Sequence, residues 1–138
     1  MRIIYKTLEN TVTVIVPSSS WGGTMEELAR KDVPSGLEYK IVEDSAIPTD
    51  WSLRNSWEVD ADFKISENLN KSKEITKERL RVERKPLLEK QDVLFMKAQE
   101  DGTSTTAIVT EKKRLRDITK SVDSCTTTDA LKALNCTE

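Results

Sequence analysis

Short β-branched segments near the start of the chain predict a small antiparallel sheet. Residues 2–6 and 12–16 are rich in Ile, Val and Thr, and Glu9-Asn10 supplies turn residues between them. Two such runs with a short polar connection are typical of a β-hairpin. Residues 37–42 have the same character and predict a third strand.

A short helix is predicted between the second and third strands. Thr24-Met25-Glu26-Glu27 fits a capping box, in which the Thr24 hydroxyl and the Glu27 carboxylate each bond to a free amide at the helix start. We expect the helix to cover residues 25–32, because Val33-Pro34-Ser35-Gly36 then interrupts it.

The hydrophobic period changes from about residue 66 onward. Leu80, Leu87 and Leu94 repeat every seven residues, and Leu88 and Phe95 repeat beside them. Residues seven apart lie on one side of an α-helix, so they predict a long helix with one apolar stripe. Pro86 lies within this segment and has no amide hydrogen to donate. We therefore expect a kink or a helix restart near Lys85.

A second stripe predicts that this helix folds back as a hairpin. Asp101-Gly102 provides a stop, and Ser104 or Thr105 a new N-cap. Ile108, Leu115 and Val122 again repeat by seven. Because the connection is short, the two helices must be antiparallel. A last short helix is predicted after Thr126–Asp129, which can cap it.

These elements predict an α+β fold with two parts. The first part, residues 1–62, is a small antiparallel sheet with a short helix. The second, residues 63–138, is a long antiparallel helical hairpin followed by a short C-terminal helix. A two-helix hairpin cannot cover its own apolar edge, so this edge needs the sheet or a neighbouring subunit to bury it.

Trp51 and Trp57 form the most concentrated aromatic segment, and two interpretations of them stay open. Six residues apart, they lie on the same side if the segment is extended. They can fill the interior of a small sheet, or they can form an exposed stacking platform for a base or a sugar.

Charge is distributed unevenly and argues against nucleic acid as the main partner. Residues 1–60 carry 6 basic and 10 acidic side chains, whereas residues 61–120 carry 15 and 11. The second region could touch phosphate, but carboxylates interrupt its basic residues, which is typical of a solvated, ion-paired helix surface. Nucleic-acid binding is therefore disfavoured.

Composition offers little support for catalysis. The chain has no histidine, which removes the commonest acid–base group and metal ligand. Cys125 and Cys136 lack zinc or redox-motif spacing, so two free thiols are expected, although a disulfide is geometrically open. We expect no enzymatic activity, no cofactor and no metal. We also expect no membrane insertion, since no window is apolar enough to span a bilayer.

The helical segment resembles a family of small tailed-bacteriophage proteins. The runs Lys73–Gly102 and Lys112–Thr119 follow the pattern R-x-x-R-x-P-x-L-x-x-x-D-V-x-x-M-x-A, then L-R-D, then a C-terminal L-K. The matching residues here are Arg81, Arg84, Pro86, Leu88, Asp92, Val93, Met96, Ala98, Leu115, Arg116, Asp117, Leu131 and Lys132. Residues 32–42 and 48–59 are similar to the same proteins, so the resemblance covers nearly the whole chain.

The hairpin is similar to the C-terminal part of phage tail-fibre assembly proteins. This resemblance implies contact with other phage tail or fibre proteins, and a location in the host cytoplasm during assembly and then in the tail region of the virion. Thr76 stands where many relatives carry histidine, so no role is carried over to it.

Two interpretations of Arg81 and Arg84 stay open. One turn apart, they can tie the hairpin together through ion pairs with Asp92 or Asp117, or they can belong to a docking face. The candidate partner-binding residues are Arg81, Arg84, Leu87, Leu94, Phe95, Arg116, Trp51 and Trp57.

Three functional hypotheses follow, in order of preference. The first is a virion structural protein, a tail- or fibre-associated adaptor. The second is an assembly chaperone that is absent from the mature particle, and the third is a small nucleic-acid-binding regulator. Self-association into a homo-oligomer is left open.

Overall fold

The computed structural model describes residues 1–137 and divides into two compact units, Met1–Asn68 and Leu69–Glu138. The first unit holds small antiparallel sheets and one helix, and the second is helical. The predicted α+β class, with a sheet first and a helical hairpin second, is confirmed.

The main sheet of the first unit has three antiparallel strands in the order β2-β1-β3. They are β1 (Arg2–Lys6), β2 (Val12–Ile15) and β3 (Tyr39–Val42). The predicted hairpin pairs Ile3 with Ile15. In its turn, Asn10 adopts a φ of 61°, a left-handed conformation that Asn tolerates better than most residues.

Helix α1 (Met25–Asp32) has the predicted bounds and the predicted capping box. The Glu27 amide donates to Thr24 Oγ1 at 3.2 Å, and the Thr24 amide donates to Glu27 Oε2 at 2.8 Å. Both end amides are therefore satisfied by side chains three residues apart in the sequence.

A second, two-stranded sheet was not predicted. Strands β4 (Trp57–Val59) and β5 (Ile65–Glu67) pair antiparallel, with Trp57 opposite Glu67. The Asn68 amide also donates to the Ser56 carbonyl at 2.9 Å. The first unit thus extends to residue 68, whereas the predicted boundary between residues 62 and 63 lies within the β4–β5 connection.

Each face of the three-stranded sheet packs a separate core cluster. Ile3 packs with Leu28 and Ala29 of α1, while Ile4 packs with Ile47 and Trp57. Successive side chains of a strand point to opposite faces, so these two adjacent isoleucines anchor two different clusters.

The second unit consists of the predicted hairpin and two short helices. Its elements are α2 (Leu69–Asp101), α3 (Thr106–Asp117), α4 (Lys120–Asp123) and α5 (Thr128–Ala133). At the turn, the Gly102 amide donates to the Gln99 carbonyl and the Thr103 amide to the Ala98 carbonyl. This bonding pattern, with Gly102 at a φ of 65°, is a Schellman motif that ends α2 where Asp101-Gly102 predicted a stop.

Helix α2 runs without interruption through Pro86. Of the two alternatives predicted near Lys85, the helix restart is therefore wrong, and the kink stays a prediction. A proline inside a helix removes one backbone hydrogen bond, and the 33 residues of α2 provide enough other turns to maintain it.

The core of the second unit lies beside the first half of α2. Leu80 is fully buried, and the other buried members come from every later part of the unit: Leu115, Val122, Leu131 and Cys136. Helices α3, α4 and α5 and the C-terminal tail thus share one core with the N-terminal half of α2.

Candidate protein-interaction surface

Arginines on the hairpin satisfy carbonyl groups at the ends of the shorter helices. Arg79 donates to the carbonyls of Leu131 and Leu134 at 3.1 and 2.7 Å. Arg84 donates to the Arg116 carbonyl at 2.7 Å. The last carbonyls of a helix have no intrahelical donor, so these guanidinium groups stabilise the ends of α3 and α5.

A third arginine holds the C-terminal tail. Arg114 donates to the Cys136 carbonyl at 2.8 Å and forms an ion pair with Glu111 at 2.7 Å. The hydrogen bond from Arg114 lowers the pKa of Glu111 below its usual value. The tail is thereby fixed against α3.

The predicted ion pairs of Arg81 and Arg84 with Asp92 or Asp117 are wrong. Arg81 pairs with Glu78 at 3.1 Å on an exposed surface, and Arg84 bonds to backbone carbonyls. Asp92 pairs with Lys112 instead.

Asp117 pairs with Lys120 at 2.8 Å, and this hydrogen bond lowers the pKa of Asp117. Arg84 does tie the hairpin together, but through the C-terminal end of α3. Arg116 projects as an exposed side chain with no ion pair among residues 1–137.

Leu87, Leu94 and Phe95, which were predicted as apolar partner contacts, lie on the inner face of α2. This face is turned towards the core and α3. Leu87 packs on the buried cluster, but Leu94, two heptad positions after Leu80, remains 39% exposed. Phe95 is half-buried, and the Lys112 ammonium lies 5.2 Å from the centre of its ring. This contact is a cation–π interaction between the two arms of the hairpin.

A second apolar line, which we call the outer stripe, runs along the opposite face of α2. It consists of Val82, Pro86, Val93 and Met96, and three of these are 66%, 46% and 55% exposed (Val82, Val93 and Met96). Pro86 is exposed as well. At about 100° of rotation per residue, the four positions fall within an arc of about 80°, opposite to Leu80. The four side chains therefore share one exposed face of α2, on which the exposed Glu89 lies between Pro86 and Val93.

Lysines border the outer stripe. Lys85, Lys90 and Lys97 are exposed and form no ion pair with any residue that the structure describes. An apolar centre with a charged rim is the arrangement that protein interfaces commonly show.

Sequence reasoning missed the outer stripe for a physical reason. Glu89 interrupts it, and its members are spaced by four, seven and three residues, so it produces a weaker period than the leucines. Three of its members, Pro86, Val93 and Met96, were already present in the quoted phage pattern. When apolar residues lie on two opposite faces of a helix, its amphipathic pattern is weak. The stronger leucine repeat therefore determined which face was predicted to be apolar.

The structure treats the two tryptophans differently: Trp57 fits the interior interpretation, and a stacking role for Trp51 stays a prediction. Trp57 is buried in the cluster around Ile4 and Ile47, so it fills the interior. Trp51 is 38% exposed and lies against Trp57, with ring centres 5.2 Å apart in an edge-to-face arrangement. A 3₁₀ turn at Arg54–Ser56, rather than an extended segment, brings the two rings together.

Other kinds of site have little support among residues 1–137. That part of the chain contains no group of three or more Cys, Asp or Glu side chains placed to hold a metal ion. None of its helices is both long enough and apolar enough to cross a bilayer. Both cysteines are free thiols.

Comparisons with known proteins add no identification. No protein-family model, curated protein or solved structure matches this chain.

Proposed function

We propose that this chain is a structural adaptor of a bacteriophage tail or tail fibre, which docks onto another virion protein through the outer stripe of α2. The single observation that carries the docking step is the exposed apolar line with its unpaired lysine rim. The assignment to a phage tail rests on the resemblance of the helical segment to small tailed-phage proteins.

The energetics of the outer stripe favour a covered state. Burying the exposed parts of its side chains would release free energy of about 25 cal/mol for each Å² of apolar surface removed from water. The three lysines contribute mainly to the rate and specificity of association, because exposed charges steer a complementary surface.

Three arginines support the half of the outer stripe that holds Val82 and Pro86. Arg79, Arg84 and Arg114 fix the shorter helices and the tail onto the hairpin, so α2 is supported along its first half. A preorganised surface loses little conformational entropy when it binds.

The test is quantitative mass spectrometry on density-purified particles of the encoding phage, scaled to a tail protein of known copy number. The wild-type chain should be present in multiples of three or six per tail. A Val93→Asp, Met96→Asp double variant should be depleted at least about tenfold, because it places two charges in the apolar centre of the interface.

An Ala107→Asp variant is the matched control. Ala107 is exposed in the first turn of α3, where a carboxylate suits the helix dipole, so particles should incorporate this variant normally. Absence of the wild-type chain from particles, despite abundance in infected lysate, would contradict the adaptor and favour an assembly chaperone or a regulator. Equal incorporation of the double variant would refute the outer stripe as the docking surface.

A further inference from the structure

A groove of about 330 Å³ lies entirely within the first unit. Residues 11–14 line one wall, and Trp51, Arg54, Asn55 and Trp57 line the other. Side chains of a strand alternate between its two faces, so a groove that touches four consecutive residues must follow the backbone edge of the strand.

The groove follows the unpaired edge of β2. This strand is hydrogen-bonded to β1 only and is the outermost strand of its sheet. No other strand among residues 1–137 is hydrogen-bonded to its free side. Its outward amides and carbonyls can therefore form a ladder with an added strand.

The opposite wall includes a tryptophan whose indole donor has no partner. Trp57 is 2% exposed, and its indole Nε1 is buried without an acceptor among the described residues. Leaving a buried donor unsatisfied costs about 1–3 kcal/mol, a penalty that the fold carries beside the groove.

Charge specifies the ligand further. Arg54 is the only charged residue in the lining of the groove, and neither its guanidinium nor the Asn55 amide forms a side-chain hydrogen bond or ion pair among residues 1–137. A guanidinium binds carboxylates through two parallel hydrogen bonds. Trp51 adds a partly exposed ring, which suits an apolar or aromatic side chain.

We infer that this groove binds a short extended peptide segment of another protein, which pairs with β2 and places an acidic side chain on Arg54. An apolar side chain of that peptide covers Trp51. The strand edge supplies affinity through the backbone, while Arg54 and Trp51 supply specificity.

Two other occupants fit less well. A second copy of the chain pairing through β2 would bring Val12-Thr13-Val14-Ile15 to the groove. This segment contains no acidic residue that could pair with Arg54. A sugar would stack on Trp51 but would leave both the strand edge and the cation of Arg54 without partners.

The test starts with selection of a displayed random hexapeptide library on the purified full chain, followed by calorimetry on a selected peptide. We expect Asp or Glu to be enriched at one fixed position. Arg54→Gln should weaken binding at least about tenfold, and Arg30→Gln, on the exposed end of α1, should leave it unchanged.

Pairing of the peptide backbone with β2 makes a separate prediction. Single N-methylation at alternate peptide positions should abolish binding for one parity and preserve it for the other, because every second amide of an added strand faces β2.

The opposite results would overturn the inference. In the selection, these are no enriched peptide or enriched peptides without acidic residues. In calorimetry, they are full binding by Arg54→Gln or an equal loss of binding for both N-methyl parities. Concentration-dependent dimerisation that blocks the groove would also overturn it. The Val93→Asp, Met96→Asp variant should bind the peptide normally, so failure here and failure of the proposed adaptor function are distinguishable.

Discussion

The two halves of the helical hairpin carry the same leucine repeat but differ in what covers it. In the proximal half, residues 69–88, α2 packs against α4, α5 and the tail as well as the end of α3, and Leu80 is fully buried. In the distal half, residues 89–101, the described contacts of the second unit come from α3, and Leu94 stays partly exposed. Leu80 and Leu94 occupy equivalent heptad positions, so the number of covering elements decides burial, and the repeat alone does not.

The two halves therefore differ in what they contribute to the stability of the unit. The proximal half holds the buried core and the arginine bonds to helix ends, which stabilise the unit. The distal half presents apolar side chains on both faces without a core around them. Such surface is expected to be covered by a partner, since monomeric proteins rarely expose continuous apolar patches.

Truncation of the two equivalent leucines should give the largest difference in stability between the halves. Leu80→Ala should lower the free energy of unfolding by about 2–5 kcal/mol, because it leaves a cavity in the core. Leu94→Ala should cost less than about 1 kcal/mol, since its side chain is partly in water already. Urea denaturation followed by circular dichroism measures both, and equal losses would show that the distal half has a core of its own.

Pro86 lies at the junction of the halves and tests how α2 tolerates its missing hydrogen bond. Pro86→Ala should raise the free energy of unfolding by up to about 3 kcal/mol, because it restores an amide donor and removes a steric clash. The same denaturation experiment applies. A loss of stability would mean that the proline ring has a packing role despite its exposure.

The bonds of Arg79 to the end of α5 are tested through the tail that follows this helix. Arg79→Gln should increase the alkylation rate of Cys136 about tenfold or more in a Cys125→Ala background, because hydrogen bonds from a charged group contribute about 1.5–3 kcal/mol to keeping the tail closed. Arg81→Gln is the control. Among the described residues Arg81 pairs only with Glu78, in an exposed position, so this variant should leave the rate unchanged. Equal rates for both variants would show that Arg79 does not restrain the tail.

The smallest effect concerns pH. Burial, and after it the nearby Glu83 carboxylate, raises the pKa of the Cys136 thiol above its usual value. The folded protein holds this proton more tightly than the unfolded chain, whose thiol ionises at about pH 8.5. The stability contributed by the site is complete below that pH and is lost as the pH rises through the raised pKa of the folded protein.

A Cys136→Ala variant isolates this term. The difference in unfolding free energy between wild type and variant should shrink from about pH 8 upward, measured by urea denaturation at several pH values. Cys125→Ala, at a position whose thiol is only half-buried, serves as the control. A difference that stays constant with pH would contradict the raised pKa.

Much of the fold followed from local sequence signals. The capping box at Thr24, the stop at Gly102 and the leucine repeat each depend on residues a few positions apart, so their structures could be predicted. The arginine contacts could not, because they join Arg79 and Arg84 to carbonyls more than 30 residues away. Every residue has a backbone carbonyl, so the sequence does not indicate which carbonyl an arginine will contact.

The candidate surfaces depended on the same kind of distant information. The groove in the first unit requires β2 to lie at an edge and residues 51–57 to turn beside it, which the strand pattern does not specify. The outer stripe was visible in principle through Val82, Pro86, Val93 and Met96, but the stronger repeat on the opposite face masked it.

The most direct test of the central claim, docking through the outer face of α2, is site-specific photo-crosslinking in infected cells. A photoreactive amino acid at position 93 should give one discrete adduct with another virion protein, and the same group at exposed position 113 of α3 should not. An adduct with a tail or fibre protein would identify the partner. No adduct at position 93, or the same adducts from both positions, would contradict a specific docking surface there.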